Sequence, residues 1–143
     1  MQPPSSSRRP GWRSLDKKDF SFLAPAWVDD AVPAGATAGG GGESWTWVAS
    51  NPSPYAGGLA HQSGLVGGMH QHYFYAASAT LAVGVGDSLF AYVYLDPANP
   101  PREVMLQWYD GTWDHRAYWG ENLIAWGTDG SASRRYMGAL PPT

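Results

Sequence analysis

The sequence predicts an all-β protein whose strands form an antiparallel β-sandwich. Aromatic residues make up 14% of the chain and charged residues 15%, a composition that favours strands over solvated helices. Short aromatic and β-branched stretches recur between turn signals, as they do in sandwiches and barrels. No stretch has the period of about 3.6 residues that a helix requires.

Several strands are predicted from these stretches. Residues 45–48 combine tryptophan with β-branched side chains, and residues 70–83 are a long aromatic stretch between glycine-containing turns. Residues 88–95 alternate between two faces and end at the loop 96–101, because its prolines donate no ladder hydrogen bonds. Residues 123–126 form one more short strand before a Thr-Asp-Gly turn.

A β-hairpin is predicted in the second half of the chain. Residues 103–109 and 113–119 are two alternating stretches, joined by the Asp-Gly-Thr sequence at 110–112. Such a turn tolerates a positive φ and therefore suits a tight reversal of the chain.

Residues 27–143 are predicted to form one sandwich domain. Residues 1–26 are rich in proline and serine and then charged, so we interpret them as a disordered leader or linker. The glycine run 39–42 is predicted to be a flexible loop. Residues 1–20 lack the apolar run of a secretory signal, and no membrane-spanning stretch follows, so export is expected only within a longer polypeptide.

Charge and cysteine content exclude several functions. The net charge of −3 provides no basic field for phosphates, so nucleic acid is not an expected partner. The chain has no cysteine, which excludes disulfides, thiolate zinc sites and thiol nucleophiles.

Five motifs carry a resemblance to a known family. They are Trp27-Val28-Asp29-Asp30, Glu43-Ser44-Trp45, His70-Gln71-His72-Tyr73-Phe74, residues 86–97 and His115-Arg116-Ala117-Tyr118-Trp119-Gly120. Together they resemble an accessory domain of bacterial Rhs/YD-repeat proteins and of planctomycete and acidobacterial exported multidomain proteins. The resemblance implies a jelly-roll, lectin-like or galactose-binding-like sandwich at the cell surface, outside the cell or in the periplasm.

The resemblance also implies an incomplete sandwich. In that family, a segment corresponding to residues 134–141 is followed by further strands that close the sheet. The chain ends at Thr143, so we expect the closing strands to be missing and backbone edges to be left unpaired.

His70 and His72 form a candidate metal pair. Residues i and i+2 of a strand project from one face, and the first cupin motif has this form. That motif then needs a glutamate where this sequence has Ala76 and Ala77, and the later histidine motif is missing. A cupin-like metal-dependent enzyme is therefore the alternative hypothesis, and two hydrogen-bonded histidines within the sheet are the simpler interpretation.

Ligand binding is predicted at the hairpin instead. Aromatic rings can stack against sugars while polar groups hydrogen-bond the hydroxyls. Trp113 is favoured because it lies beside an exposed turn and two carboxylates. The full predicted set is Trp113, Tyr109, Tyr118, Asp110, Asp114 and Arg116. Trp108, Trp119 and Trp126 could also supply ring faces, although most of these rings are expected to be structural, since buried tryptophans commonly form a sandwich core.

No catalytic residues are predicted. The carboxylates Glu103, Asp110, Asp114 and Glu121 show no spacing that selects a glycosidase pair, and no serine lies in a Gly-x-Ser-x-Gly elbow. No cofactor is expected apart from a structural calcium ion, for which the loop residues Asp87, Asp96, Asn99 and Asp129 are candidates. The leading hypothesis is a non-catalytic module that binds a glycan or neighbouring domains of its parent protein, or spaces them.

Overall fold

The structure is a computed structural model of the chain. It describes the backbone of residues 12–14 and the complete residues 27–41 and 43–143. All regular elements in these residues are β-strands, which confirms the predicted all-β class. The strands are β1 Trp12–Ser14, β2 Thr37–Gly40, β3 Thr46–Val48, β4 Ala60–Gln62, β5 His72–Tyr75, β6 Tyr92–Tyr94, β7 Glu103–Trp108, β8 His115–Gly120 and β9 Arg135–Tyr136.

The chain divides into two compact units, Met1–Tyr94 and Leu95–Thr143. The strands pair as four separate small sheets, and every pairing is antiparallel except that of β8 with β9. The antiparallel part of the fold prediction is thereby confirmed. Within the described parts of the chain there is no helix long and apolar enough to cross a bilayer.

The first unit contains three two-stranded ladders, β1 with β6, β2 with β5 and β3 with β4. Strand β1 falls in the predicted leader, the rest of which lies outside the described residues. Its register with β6 places Trp12 opposite Tyr94 and Ser14 opposite Tyr92. Of the predicted strand 88–95, only Tyr92–Tyr94 form a strand, β6.

The glycine run is not a simple loop. Gly39 and Gly40 belong to β2, where they pair with Tyr73 and His72 of β5, while Gly42 lies outside the described residues. The prediction of a flexible loop is wrong for Gly39 and Gly40, because their lack of side chains allows close packing in β2. A Cβ on Gly39 would lie 2.6 Å from the Tyr73 ring.

Strand β5 is much shorter than the predicted strand 70–83. It begins at His72 and ends at Tyr75, because Ala76 adopts a φ of 58°, a left-handed conformation that extended strands do not use. Because the strand begins only at His72, His70 lies before it.

The second unit is built on the predicted hairpin. Strands β7 and β8 pair antiparallel, with Val104 opposite Trp119 and Met105 opposite Tyr118, so the hairpin prediction is confirmed. Tyr118 and Trp119 are neighbours on a strand and therefore face opposite sides of the sheet. Both are buried, at 3% and 8% exposure, and Leu95, at 2%, is also buried.

The predicted strand 123–126 does not form. The backbone N–H groups of Leu123 and Ile124 donate instead to Oε2 of Glu103, at 2.6 and 2.8 Å. A side-chain carboxylate therefore satisfies donors that a ladder would otherwise pair. The third strand of this sheet is β9, which runs parallel to β8 with Tyr136 opposite Tyr118.

Candidate functional sites

The loop 109–114 at the end of the β7–β8 hairpin is held by Asp110. Its Oδ1 accepts hydrogen bonds from the backbone N–H and the hydroxyl of Thr112, both at 3.3 Å, and its Oδ2 lies 2.9 Å from Nε2 of His115. The N–H of Thr112 is the main reason why the pKa of Asp110 lies below its usual range, and the nearby His115 lowers it further. Asp110 is therefore an ionised turn residue whose oxygens are already used.

Two aromatic side chains stand exposed on this loop. Tyr109 is 61% exposed and Trp113 is 47% exposed. Their ring centroids lie 5.0 Å apart and the ring planes meet at 49°, so the rings form an open corner. Between them, Gly111 has a φ of 114° and open space where a Cβ would be. The loop therefore presents aromatic surface that nothing on its own backbone crowds.

Asp114 follows Trp113 directly in the sequence and carries an exposed carboxylate. In the part of the chain that the structure describes, no hydrogen bond or ion pair engages it. Glu103 is committed to backbone donors, and Glu121 binds the guanidinium of Arg102 at 2.8 Å. Asp114 is the member of the predicted carboxylate group that stays available to a ligand.

Two predicted ligand residues lie elsewhere. Tyr118 is buried and its hydroxyl donates to Oδ1 of Asp129 at 2.9 Å. Arg116 donates to Oε1 of Gln107 at 3.2 Å and to the carbonyl of Ser133 at 3.0 Å. Both side chains are engaged by the sheet and the segment that leads to β9, so the structure does not bring them together with the exposed rings of Tyr109 and Trp113.

The candidate calcium residues serve their own loops. Asp87 accepts from the N–H of Gly84 at 2.7 Å, and Asp96 accepts from the N–H of Ala98 at 2.9 Å and from the side-chain amide of Asn99 at 3.3 Å. Asp129 accepts from Tyr118 as above. Among the described residues, no three or more His, Cys, Asp or Glu side chains are arranged as a ready metal cage. Structural calcium stays a prediction.

A second cluster of polar groups lies in the first unit, around Glu43. Its Oε2 accepts the backbone N–H of Gly64 at 2.7 Å, and its Oε1 accepts from Nδ1 of His70 at 2.8 Å. Nε2 of His72 lies 3.5 Å from the same Oε1. The Gly64 N–H is the main cause that holds the pKa of Glu43 below its usual range, and both histidines contribute. Glu43 thus joins the two predicted histidines through one oxygen.

His70 is charged in this arrangement. Its Nδ1 faces a carboxylate and its Nε2 hydrogen-bonds the carbonyl of Val66. Because both partners can only accept, both ring nitrogens must carry hydrogen. The pKa of His70 is accordingly raised, first by the Val66 carbonyl and then by Glu43.

His61 and His72 share a hydrogen bond between their Nδ1 atoms, at 2.9 Å. One ring donates and the other accepts, so the two rings hold each other's orientation. His61 is exposed as a residue, yet its imidazole lies against Trp45 and Trp47, with centroid distances of 4.2 and 5.6 Å. Loss of water around the ring, followed by the nearness of His72, lowers the pKa of His61 to about 4, so His61 is neutral at pH 7.

Trp45 fixes the other side of this cluster. It stacks on His72 with a centroid distance of 5.1 Å and an interplanar angle of 21°, and its Nε1 donates to the carbonyl of Gly39 at 2.8 Å. Sequence reasoning selected His70 and His72 but missed Glu43 and His61. The β3–β4 register that places His61 opposite Trp47 has no signal in the local pattern.

The chain matches no protein-family model, no curated protein and no solved structure.

Proposed function

We propose that this chain is a non-catalytic β-module that binds carbohydrate at the hairpin end formed by Tyr109, Trp113 and Asp114. The observation that carries the proposal is the exposed pair Tyr109 and Trp113, whose rings lie 5.0 Å apart at 49°. Apolar rings of this size are normally buried or used in contacts. Two of them at one hairpin end favour a binding surface.

Each group has a role in this proposal. The C–H face of a sugar ring stacks on the exposed face of Trp113, and Tyr109 forms the adjoining wall with its hydroxyl toward solvent. Asp114 accepts hydrogen bonds from the sugar hydroxyls, and such charge-assisted bonds are the stronger kind. Asp110 keeps the loop in place because its oxygens are bonded to Thr112 and His115.

The setting of this module belongs to the same proposal. The motif resemblance favours a jelly-roll or galactose-binding-like sandwich within a larger exported protein. In that setting the accessory domain would bind a glycan and thereby anchor the rest of the protein to it. The all-β class and the antiparallel pairing are compatible with that architecture. The net charge of −3 argues against nucleic acid as the ligand.

The test is a titration of the full chain with a panel of soluble polysaccharides and oligosaccharides, followed by calorimetry. We expect binding by at least one glycan, a loss of at least tenfold in affinity for Trp113→Ala and a smaller loss for Asp114→Asn. Tyr75→Ala is the matched control, because Tyr75 is also an exposed ring, at 56%, but lies in the other unit.

Two outcomes would overturn the proposal. One is glycan binding that Trp113→Ala leaves unchanged, which would place the site elsewhere on the chain. The other is a lack of response to every member of the panel, which would favour a spacer between neighbouring domains. Near-ultraviolet circular dichroism of each variant shows whether the fold is retained, so that loss of binding is not confused with unfolding.

A further inference from the structure

Nε2 of His72 is a buried nitrogen without a hydrogen-bond partner among the described residues. The His72 side chain is only 9% exposed. Leaving a buried polar atom unsatisfied is energetically costly, so an atom of this kind calls for an explanation such as a bound ion. Nε2 faces Oε1 of Glu43 across 3.5 Å, a separation and geometry that do not make a hydrogen bond.

The atoms around this nitrogen are held from behind. Glu43 uses Oε2 to accept the Gly64 N–H, and His70 uses Nε2 to donate to the Val66 carbonyl. His72 uses Nδ1 in its hydrogen bond with His61. Each of the three side chains therefore uses one polar atom in a hydrogen bond outside the group. The second polar atom of each lies within the group: Oε1 of Glu43, Nδ1 of His70 and Nε2 of His72.

This is the pattern of support that surrounds metal ligands. Ligating histidines donate their second ring N–H to a carbonyl or another acceptor, and ligating carboxylates are themselves hydrogen-bonded. Two imidazole nitrogens and one carboxylate oxygen are also a set that Zn²⁺ accepts, with a fourth position left for water. The rings of Trp45 and His61, packed beside His72, restrict its orientation.

We propose that Glu43, His70 and His72 bind a divalent transition-metal ion of the Zn²⁺ class, with His61 as the residue that orients His72. In a tetrahedral site with metal–ligand bonds of about 2.1 Å, ligand atoms lie roughly 3.4 Å apart. Oε1 is 3.5 Å from Nε2 of His72 and 2.8 Å from Nδ1 of His70.

The distance between Nδ1 of His70 and Oε1 of Glu43 is shorter than the tetrahedral separation and must lengthen when the metal ion binds. His70 must move away from Glu43 by about half an ångström, and its Nδ1 proton leaves to solvent as the metal ion takes its place. Before such a movement, the described residues contain no preformed group of three metal ligands. The site lies wholly in the first unit, so it stands independently of the carbohydrate surface of the second.

The experiment uses the full chain without a polyhistidine tag, stripped with a chelator and dialysed. Calorimetric titration with ZnCl₂ is expected to show one ion per chain, and Co²⁺ is expected to give visible ligand-field absorption. Glu43→Gln and His72→Ala are each expected to weaken Zn²⁺ binding at least tenfold, and His61→Ala to weaken it by about tenfold, as outer-shell changes do.

His115→Ala is the matched control. His115 also pairs with a carboxylate, Asp110 at 2.9 Å, but it lies in the second unit, so its loss is expected to leave Zn²⁺ affinity unchanged. Glu43→Gln keeps a side-chain oxygen for the Gly64 N–H, and circular dichroism of the metal-free variant checks its fold. The proposal is overturned by an absence of stoichiometric binding to the parent chain, or by affinity that Glu43→Gln and His72→Ala leave unchanged. Dependence on His115 would also overturn it, by revealing adventitious surface binding.

Discussion

The hydroxyl of Tyr118 donates a hydrogen bond to Oδ1 of Asp129 at 2.9 Å. This contact ties the buried centre of β8 to the segment that leads into β9. The same carboxylate accepts from the side-chain amide of Asn122 at 2.9 Å, and Nε of Arg134 lies 3.8 Å away. One aspartate thus holds together a stretch that has little regular secondary structure, which explains how β9 reaches its parallel place beside β8.

The Tyr118 contact makes stability sensitive to alkaline pH. Burial, and then the bond to Asp129, raise the pKa of Tyr118 above its usual value of 10.0. A group whose pKa is raised by folding contributes stability that is complete below the pKa of the unfolded chain and is lost as pH rises through the folded pKa. We therefore expect Tyr118 to destabilise the fold increasingly above about pH 10.

Tyr118→Phe tests this pH dependence. At pH 7 the variant should be less stable than the parent, because Asp129 loses a donor. As pH rises past 10, the difference in unfolding free energy should shrink, because phenylalanine does not titrate. Urea unfolding of both proteins at pH 7, 9 and 11 measures it, and a difference that is constant with pH would contradict the linkage to Tyr118.

Truncation of Trp119 should destabilise the fold strongly, whereas truncation of Trp113 should change its stability little. Trp119 is 8% exposed and belongs, with Leu95 and Tyr118, to the buried core of the described residues. Trp119→Ala should cost about 3–5 kcal/mol of unfolding free energy. Trp113→Ala, at 47% exposure, should stay within about 0.5 kcal/mol of the parent. Urea denaturation followed by near-ultraviolet circular dichroism compares them, and equal losses would show that the hairpin end is packed rather than open.

The hairpin was predictable because its information is local. Residues 103–109 and 113–119 alternate on both sides of a turn sequence, and they pair with each other as β7 and β8. The exposed rings Tyr109 and Trp113 follow from that placement. The burial of Tyr118 could not be predicted in this way. Alternation shows which residues share a face of the strand but not which face another segment covers.

Other features depend on partners distant in the sequence. Glu43 meets His70 across 27 positions, and no periodicity encodes that approach. The residues 123–126 look like a strand because they are apolar, yet the Glu103 carboxylate takes the backbone donors of Leu123 and Ile124. Such side-chain substitutes for a ladder leave no pattern in the segment they replace.

The two glycines of β2 should differ in their tolerance of a methyl group. A Cβ on Gly40 would lie 2.2 Å from the carbonyl oxygen of Glu43, which is backbone and cannot rotate away. A Cβ on Gly39 would meet the end of the Tyr73 ring, which is 37% exposed and can swing outward. Gly40→Ala should therefore cost about 1–3 kcal/mol, and Gly39→Ala less than about 1 kcal/mol, since alanine also restricts the unfolded chain.

Urea unfolding of the two alanine variants measures this difference. Amide hydrogen exchange in β2 and β5 provides a local readout, since a displaced backbone at Gly40 should speed exchange at His72, its partner in the ladder. Equal costs at the two positions would mean that the Glu43 carbonyl does not pack against Gly40.

The Glu103 side chain should contribute more to stability than the exposed side chain of Glu121. Glu103→Ala removes the acceptor of the Leu123 and Ile124 N–H groups and should cost about 1–3 kcal/mol. Glu103→Gln should fall between the alanine variant and the parent, because an amide oxygen still accepts but without charge. Glu121→Ala is the control: its ion pair with Arg102 is exposed, at 51% and 67%, so its loss should stay within about 1 kcal/mol.

Hydrogen exchange decides whether the Glu103 effect acts where the structure places it. In Glu103→Ala the amides of Leu123 and Ile124 should exchange faster while those of β8 keep most of their protection, because the β7–β8 ladder is separate from these bonds. If instead the two amides exchange as slowly as in the parent, they have another acceptor and the segment 123–126 is held by something other than this carboxylate. A stability loss in Glu121→Ala as large as in Glu103→Ala would indicate a general effect of charge.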